Sequence, residues 1–489
     1  MTGWIKNLFK DSLVYGIGFG ISRFLQIIVL PIIAHALTVS EFGYYSNYVI
    51  FYTIAAGVFV LGLDSSVARF IFDSEEKKHH RKVFSIAFFC VLIVSLVVVG
   101  VASLFPSLLL AIISVPDVYG DSLPYVLMTI PVLALNNFFL SWFKWKRQKF
   151  YFLANTIGTV LFLLGPLLIA DEIRFRFIFQ VIFFSQLSVA IISAVLASGY
   201  IRLLFDRPLF ISMLKYGFPW MLVFFLGLSR SYLDRFFLTH YLNDDNLYGV
   251  YNFSVRLSTL LSLVITAFDM SFGPLAFSIW NKEGAAQFFA RLQSTYIFFI
   301  GTVACMIVIV SPLLVNILGG QKYEGAERIL PYLLFSAIPL SLINFSSLGI
   351  IYAKKSFLST VTLIIGFSAV LVLNAVLTPR FLQFGAVNAS LIGHLLIVIA
   401  GYYFSRRFYK IGFHFGKDAL LFIFLFALSV FLVELNWSSN MWIDMILKTL
   451  ALVFIAVTLL MSFFKAEYKR SLSFLKNIRY AGFRSNARV

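Results

Sequence analysis

Three arginines stand deep inside long apolar runs of this chain, Arg23, Arg230 and Arg256, while Arg235 lies close to the end of its run. A charge at the centre of a membrane helix costs about 2.5–3.5 kcal/mol even on the more lenient insertion scale, so it persists only where it faces a cavity or a partner. Arg23 lies about ten residues into its run, roughly 15 Å along a helix axis. Gly16 and Gly20 precede it at helical spacing, which makes one face small, open and cationic. Arg230 holds the equivalent place in a later run, and Arg256 follows Asn252 by one turn. A guanidinium offers a fork of donors that suits phosphate oxygens, and such contacts strengthen at low dielectric. The implied ligand is an anion, a phosphate or pyrophosphate group. The competing reading for Arg230 is a structural bridge to Asp234, one turn on.

Carboxylates and amides form the second set. Asp64 and Asp269 end two apolar runs at matching positions, where each could bind a coupling ion. Asp64 could also lock a gate by pairing with Arg69. Asp234 joins this coupling group. Asn47, Asn137, Asn252 and Asn344 are in-run polar residues able to meet sugar hydroxyls; Asn155 is of the same kind, and helix-to-helix hydrogen bonding is the alternative for such amides. Pro131, Pro219, Pro274 and Pro339 interrupt runs and would let a helix bend. Lys448 is expected to extend towards the headgroups. No Walker A, HExxH or GxSxG pattern occurs, so no catalytic residue, metal site or cofactor is assigned, and any driving force comes from an ion gradient, of protons or sodium for example, from the membrane potential or from downstream consumption of product, and not from ATP hydrolysis by this chain.

The elements that must position these residues are helices. With 60% hydrophobic and only 12% charged residues, the chain cannot be a water-soluble domain. Fourteen runs are long enough to cross ~30 Å of hydrocarbon: 13–36, 44–63, 83–105, 123–143, 151–170, 177–199, 216–238, 247–275, 292–318, 329–352, 357–378, 384–404, 418–434 and 441–464. With the N-terminus in the cytoplasm, 29 of the 39 Lys and Arg fall in cytoplasmic segments and five in external loops. That asymmetry sets the orientation, with both termini cytoplasmic. The net charge of +17 therefore belongs to topology and anionic headgroups, and nucleic acid is not an expected partner. Cys90 and Cys305 lie in apolar runs and offer neither a disulfide framework nor a redox motif. The first run carries Arg23 and no clear cleavage site, and reads as a retained helix.

The chain repeats itself. Gly20-Ile21-Ser22-Arg23 returns as Gly227-Leu228-Ser229-Arg230, Phe42-Gly43 as Tyr248-Gly249, Asp64 as Asp269, Pro124-Tyr125 as Pro331-Tyr332, Pro131 as Pro339, Asn137 as Asn344 and Lys149 as Lys355. The offsets stay between 205 and 208 residues. Two six-helix lobes follow, 1–200 and 216–410, joined by a cytoplasmic linker at 201–215. An even helix number makes them parallel repeats about an axis along the membrane normal, facing a central cavity. Runs 13 and 14, within 411–464, form an appended pair whose apolar face could lengthen a lipid-lined groove, and 465–489 is a basic tail. The fold class is an all-α polytopic membrane protein.

This order of features resembles the lipid-linked oligosaccharide flippases, for O-antigen and other polysaccharides, of the multidrug/oligosaccharidyl-lipid/polysaccharide exporter superfamily. The similarity rests on Leu37 to Gly43, Leu61-Gly62-Leu63-Asp64 with Arg69-Phe70, Lys215-Tyr216-Gly217-x-Pro219 leading to Asp234-Arg235-Phe236, and a Gly-Gly-x-x-Tyr turn within Gly319 to Arg328. The resemblance implies a substrate of undecaprenyl-pyrophosphate-linked sugar repeats. Arg23, Arg230 and Arg256 would hold the pyrophosphate while the tail stays in lipid, and the lobes would rock in alternating access. It also implies a bacterial inner membrane, membrane lipid as a partner, and a polysaccharide polymerase and chain-length regulator as candidate partners. Rival readings are a peptidoglycan-precursor flippase, an exporter of cationic drugs, which needs an acidic cavity, and a membrane glycosyltransferase, for which the loop with Asp117 and Asp121 is too short.

Overall fold

The computed structural model describes residues 27–461, apart from 75, 231, 354 and 436 and the side chains of Pro274 and Ser356. Arg23 with its glycines, and the basic tail, lie outside the described residues. Helices are α1 (Ile27–Ala36), α2 (Val39–Phe59), α3 (Leu63–Phe70), α4 (Lys77–Ala102), α5 (Pro106–Ile112), α6 (Leu123–Trp145), α7 (Lys149–Ile169), α8 (Phe175–Leu196), α9 (Arg207–Arg230) and α10 (Leu233–Tyr241). There follow α11 (Asp245–Ile279), α12 (Ala285–Leu318), α13 (Ala326–Ser341), α14 (Ile343–Ser346), α15 (Leu348–Tyr352), α16 (Ser356–Ser405), α17 (Phe415–Glu434) and α18 (Met441–Leu459). Among the described residues, twelve helical stretches are long and apolar enough to cross a membrane. One of them, Phe357–Ser405, contains two of the runs separated in the sequence, which meet at a kink where Leu382 takes a non-helical φ of 48° and ψ of −126°. The first run has only α1 described.

The described residues form two compact units. One runs up to Asn252 and includes Leu318–Lys322; the other comprises Phe253–Ile317 and the chain from Tyr323 onward. The division falls inside α11 and not at the repeat junction. Helix α9 also begins at Arg207, inside the stretch 201–215 expected to be a linker.

In the first unit the Leu37-to-Gly43 motif is a capping box: Glu41 N donates to Thr38 Oγ1 at 3.3 Å and Thr38 N donates to Glu41 Oε2 at 2.8 Å. The Leu61-Gly62 motif is a break. Both residues are left-handed, φ 55° and φ 67°, so α2 stops and α3 starts in a new direction. Glycine is also required there sterically, because a Cβ on Gly62 would lie 2.0 Å from the Gly217 carbonyl oxygen of α9. Ser66 Oγ donates across the same crossing to Met213 O at 2.6 Å. Helices α6, α7 and α8 are tied by in-span amides, Asn136 Nδ2 to Gln186 Oε1 at 2.8 Å and Asn155 Nδ2 to Ser193 Oγ at 3.0 Å. Asn155 is thus helix glue.

The second unit is built on α12 and α13, with α16 and α17 against α13. Helix α13 ends two residues after Pro339, and the remainder of that run continues as the short α14 and α15. Gly349 lets α15 touch α16, where its N–H donates to Ser405 Oγ at 2.6 Å. Lys448 departs from expectation. It is 5% exposed, and its Nζ lies 2.7 Å from Asp444 Oδ2, one turn earlier in α18. A carboxylate at helical spacing neutralises it within the span, which is why it does not reach outward.

Candidate functional site

Arg230 closes α9 at 6% exposure, and its Nε and Nη1 have no hydrogen-bond partner among the described residues. Buried donors in native proteins are normally satisfied, so two orphaned nitrogens on one cation call for an anionic acceptor. Asp234 does not supply it. That carboxylate accepts the Tyr251 hydroxyl at 2.5 Å and the Arg235 amide at 2.9 Å, so the proposed Arg230–Asp234 bridge is absent. Arg256, in the second unit, is half-buried and forms no ion pair among the described residues. Asn252, fully buried, donates to Tyr248 O at 3.0 Å and leaves its Oδ1 without a partner among the described residues.

The break at Leu61-Gly62 sets Asp64 in the first turn of α3, beside α6 and α9. Asp64, Arg69 and Asn137 come together there around a cavity of about 600 Å³, with Ser141, Lys144 and Trp220. Ser141 Oγ donates to the Asp64 carbonyl at 3.3 Å and fixes that wall. Arg69 does not lock Asp64: its Nη1 sits 2.5 Å from Asp73 Oδ1, the carboxylate one turn along its own chain. Lys144, read from sequence only as a topology charge, supplies the cavity's second cation. In the second unit the repeat-matched residues meet directly, Asn344 Nδ2 donating to Asp269 Oδ1 at 2.6 Å. The Asp–Asn correspondence at matched positions is therefore spatial in both units.

Asn47 spends both amide ends on protein. Its Oδ1 accepts the Tyr248 hydroxyl, and its Nδ2 donates to Ser114 O at 3.3 Å. This contact lies where the repeat-matched Gly43 and Gly249 meet: a Cβ on Gly43 would be 3.5 Å from Gly249 Cα, and one on Gly249 would be 1.9 Å from Val39 O. Nearby, Arg235 lies 4.9 Å over the Tyr232 ring, lines a cavity of about 250 Å³ with Asn47, and has a buried Nε without a partner among the described residues. Sequence reasoning held Arg235 only within the Asp234-Arg235-Phe236 motif. It missed a further cluster in the second unit, where Asp418 accepts from Gln293 Nε2 at 2.7 Å and from Ser294 Oγ, while Tyr402 OH donates to Gln293 Oε1 at 2.5 Å. The signal available was the adjacent Gln293-Ser294 pair inside an apolar run.

The fold is that of the multidrug/oligosaccharidyl-lipid/polysaccharide exporter superfamily, and the chain is a multi-span membrane protein. The Polysaccharide biosynthesis protein family matches residues 8–280, more than half of the 489-residue chain, and the chain belongs to that family. Among solved structures it is similar to the Lipid II flippase MurJ in an inward closed conformation, with TM-score 0.72, 13% identity and coverage of 91% of this chain and 98% of that one. It is also similar to an inward-facing multidrug resistance MATE family transporter of the MOP superfamily, with TM-score 0.57, 15% identity and coverage of 84% and 95%. The Uncharacterized membrane protein MJ1068 of Methanocaldococcus jannaschii is 23% identical over 212 residues, 42% of this chain and 41% of its own length. The chain thus spans about two fifths of that relative.

Proposed function

We propose that the protein flips undecaprenyl-pyrophosphate-linked oligosaccharide, an O-antigen or related polysaccharide repeat unit, from the cytoplasmic to the outer leaflet of a bacterial inner membrane. The observation that carries this reading is Arg230: a guanidinium buried in a span with two donors left open is poised for a phosphate group. Arg23 and Arg256 are the other two cations assigned to the pyrophosphate, and Asn137, Asn252 and Asn344 meet sugar hydroxyls, while Asn47 holds the surrounding helices. Membership of a polysaccharide biosynthesis family supports the sugar-bearing cargo. Asp64 and Asp269, each beside its matched asparagine, respond to a proton or sodium gradient. Arg69 and Asp234 act through Asp73 and Tyr251, as gating contacts.

A second reading, translocation of lipid II, is favoured by the likeness to a solved flippase of that name. Both cargoes share the pyrophosphate and differ in sugar. The test is transport by the full chain in vesicles, with each cargo offered separately. The Arg23→Ala/Arg230→Ala variant should reach the membrane in normal amount and move neither, and full activity of that variant overturns the anion-site reading. Preference for lipid II over the oligosaccharide would transfer the assignment to the second cargo. Asp64→Asn or Asp269→Asn should alter the dependence on the imposed gradient, and an unchanged dependence confines them to structure.

A further inference from the structure

A second cavity lies wholly inside the second unit, between α12, the end of α16, and α17. Its volume is about 700 Å³ and its walls are apolar and aromatic, among them Ile399, Tyr402, Tyr403, Phe415 and Ile423. Ile399 and Ile423 are each 59% exposed while also lining the cavity, so it opens sideways, where a bilayer would present hydrocarbon and not water. Its one carboxylate, Asp418, is buried at 5% exposure and accepts from Gln293 and Ser294.

The other polar feature is a basic rim. Arg406 lines the cavity, and Arg406 and Arg407 stand 5.0 and 4.9 Å from the Tyr403 ring centre. Arg407 Nη2 also donates to the Tyr403 hydroxyl at 2.9 Å. Lys410 sits between Tyr409 and Ile411, both cavity residues. Arg406, Arg407 and Lys410 form no ion pair with any described carboxylate. An apolar chamber with a lateral mouth and three uncompensated cations at one end is complementary to a molecule with an anionic head and hydrocarbon chains.

We infer that this chamber is a binding site for an anionic phospholipid of the surrounding bilayer, with its phosphate at Arg406, Arg407 and Lys410 and an acyl chain among Ile399, Phe415 and Ile423. The occupant is bulk lipid and not the cargo's own polyprenyl phosphate. Bilayer phospholipid is present in vast excess over any lipid-linked precursor, so a laterally open chamber fills with it by mass action. The inference is independent of which sugar is flipped.

The experiment titrates the purified, delipidated full chain with phosphatidylglycerol and with phosphatidylcholine, reading bound lipid by native mass spectrometry. Wild type should prefer phosphatidylglycerol by about tenfold or more. The rim variant R406Q/R407Q/K410Q, altered only at exposed positions, should bind both lipids alike at the weaker level. Ala419→Trp, which fills the chamber from its wall, should lose both while keeping the wild-type melting temperature. Equal binding of the two lipids by wild type overturns the inference, as does an undiminished preference in the rim variant. Displacement of phosphatidylglycerol by an equimolar polyprenyl phosphate overturns it too, by giving the chamber to the cargo.

Discussion

Replacing Arg230 with methionine separates a binding arginine from a structural one. The side chain is buried with Nε and Nη1 unpartnered, and each buried donor left unsatisfied costs about 1–3 kcal/mol, together about 2–6 kcal/mol. The insertion scale gives a similar size, since exchanging a central arginine for an apolar residue gains about 3–4 kcal/mol. Methionine has a comparable length and no donors, so it removes the penalty without opening a large void. At ~2.1 cal/mol/K of unfolding entropy per residue, a cooperative unit of roughly 250 residues shifts by about 2 °C per kcal/mol. A gain near 3 kcal/mol thus raises the melting temperature by about 6 °C. The assay is thermal unfolding of the purified chain, alone and with inorganic pyrophosphate, beside vesicle transport. Pyrophosphate should stabilise the wild type and leave Arg230→Met unmoved, and transport should vanish. A variant that melts below wild type, or one that still transports, refutes the reasoning, because Arg230 would then be satisfied inside the protein or idle.

Gly249→Ala puts a Cβ 1.9 Å from the Val39 carbonyl oxygen and should cost about 1–3 kcal/mol, read as a lowered melting temperature; an unchanged value would mean that α2 and α11 separate without penalty. Lys448→Met strands the buried Asp444 carboxylate and should destabilise by about 3–5 kcal/mol, whereas Asp444→Leu/Lys448→Met should recover most of that loss. Denaturant titration of both variants distinguishes these outcomes. The Asp206 carboxyl is held below its ordinary value by the Lys82 ammonium at 3.0 Å. Its folded pKa is depressed, so this contact stabilises fully above the ordinary carboxylate pKa of ~3.9 and is lost as pH falls through the lower folded value. Amide exchange near residue 206 should rise there in wild type, and Asp206→Asn should show the faster exchange at all pH values.

Twelve membrane-crossing stretches are found among the described residues, legible because hydrophobic length alone decides them, and the residue correspondences at a constant offset needed no structure to be noticed. The pairing of Asp269 with Asn344, and the shared cavity of Asp64 and Asn137, follow from that offset once one member of each pair is placed. Other features turn on contacts that no local pattern carries. Leu382 marks the break between the runs 357–378 and 384–404 inside α16, because its φ of 48° and ψ of −126° are non-helical and kink the chain there. Arg69 pairs with Asp73, four residues on and just past the end of α3, because i,i+4 spacing brings the two side chains to one face, whereas Asp64 stands five residues back. The Asp418 cluster assembles residues more than a hundred positions apart, and nothing in the apolar run around Gln293 names its partner.

Gly43 and Gly249 occupy the same position in the two halves of the repeat, and they touch one another. A position that meets its own copy is the signature of a self-complementary, two-fold association of like subunits. If the halves were once separate and identical chains, any side chain introduced there would have arrived on both faces simultaneously and doubled the collision. In the present single chain each glycine has its own obstacle, since enlarging Gly43 meets the Tyr248 ring and enlarging Gly249 meets the Val39 carbonyl, so relief at one position leaves the other as tight as before.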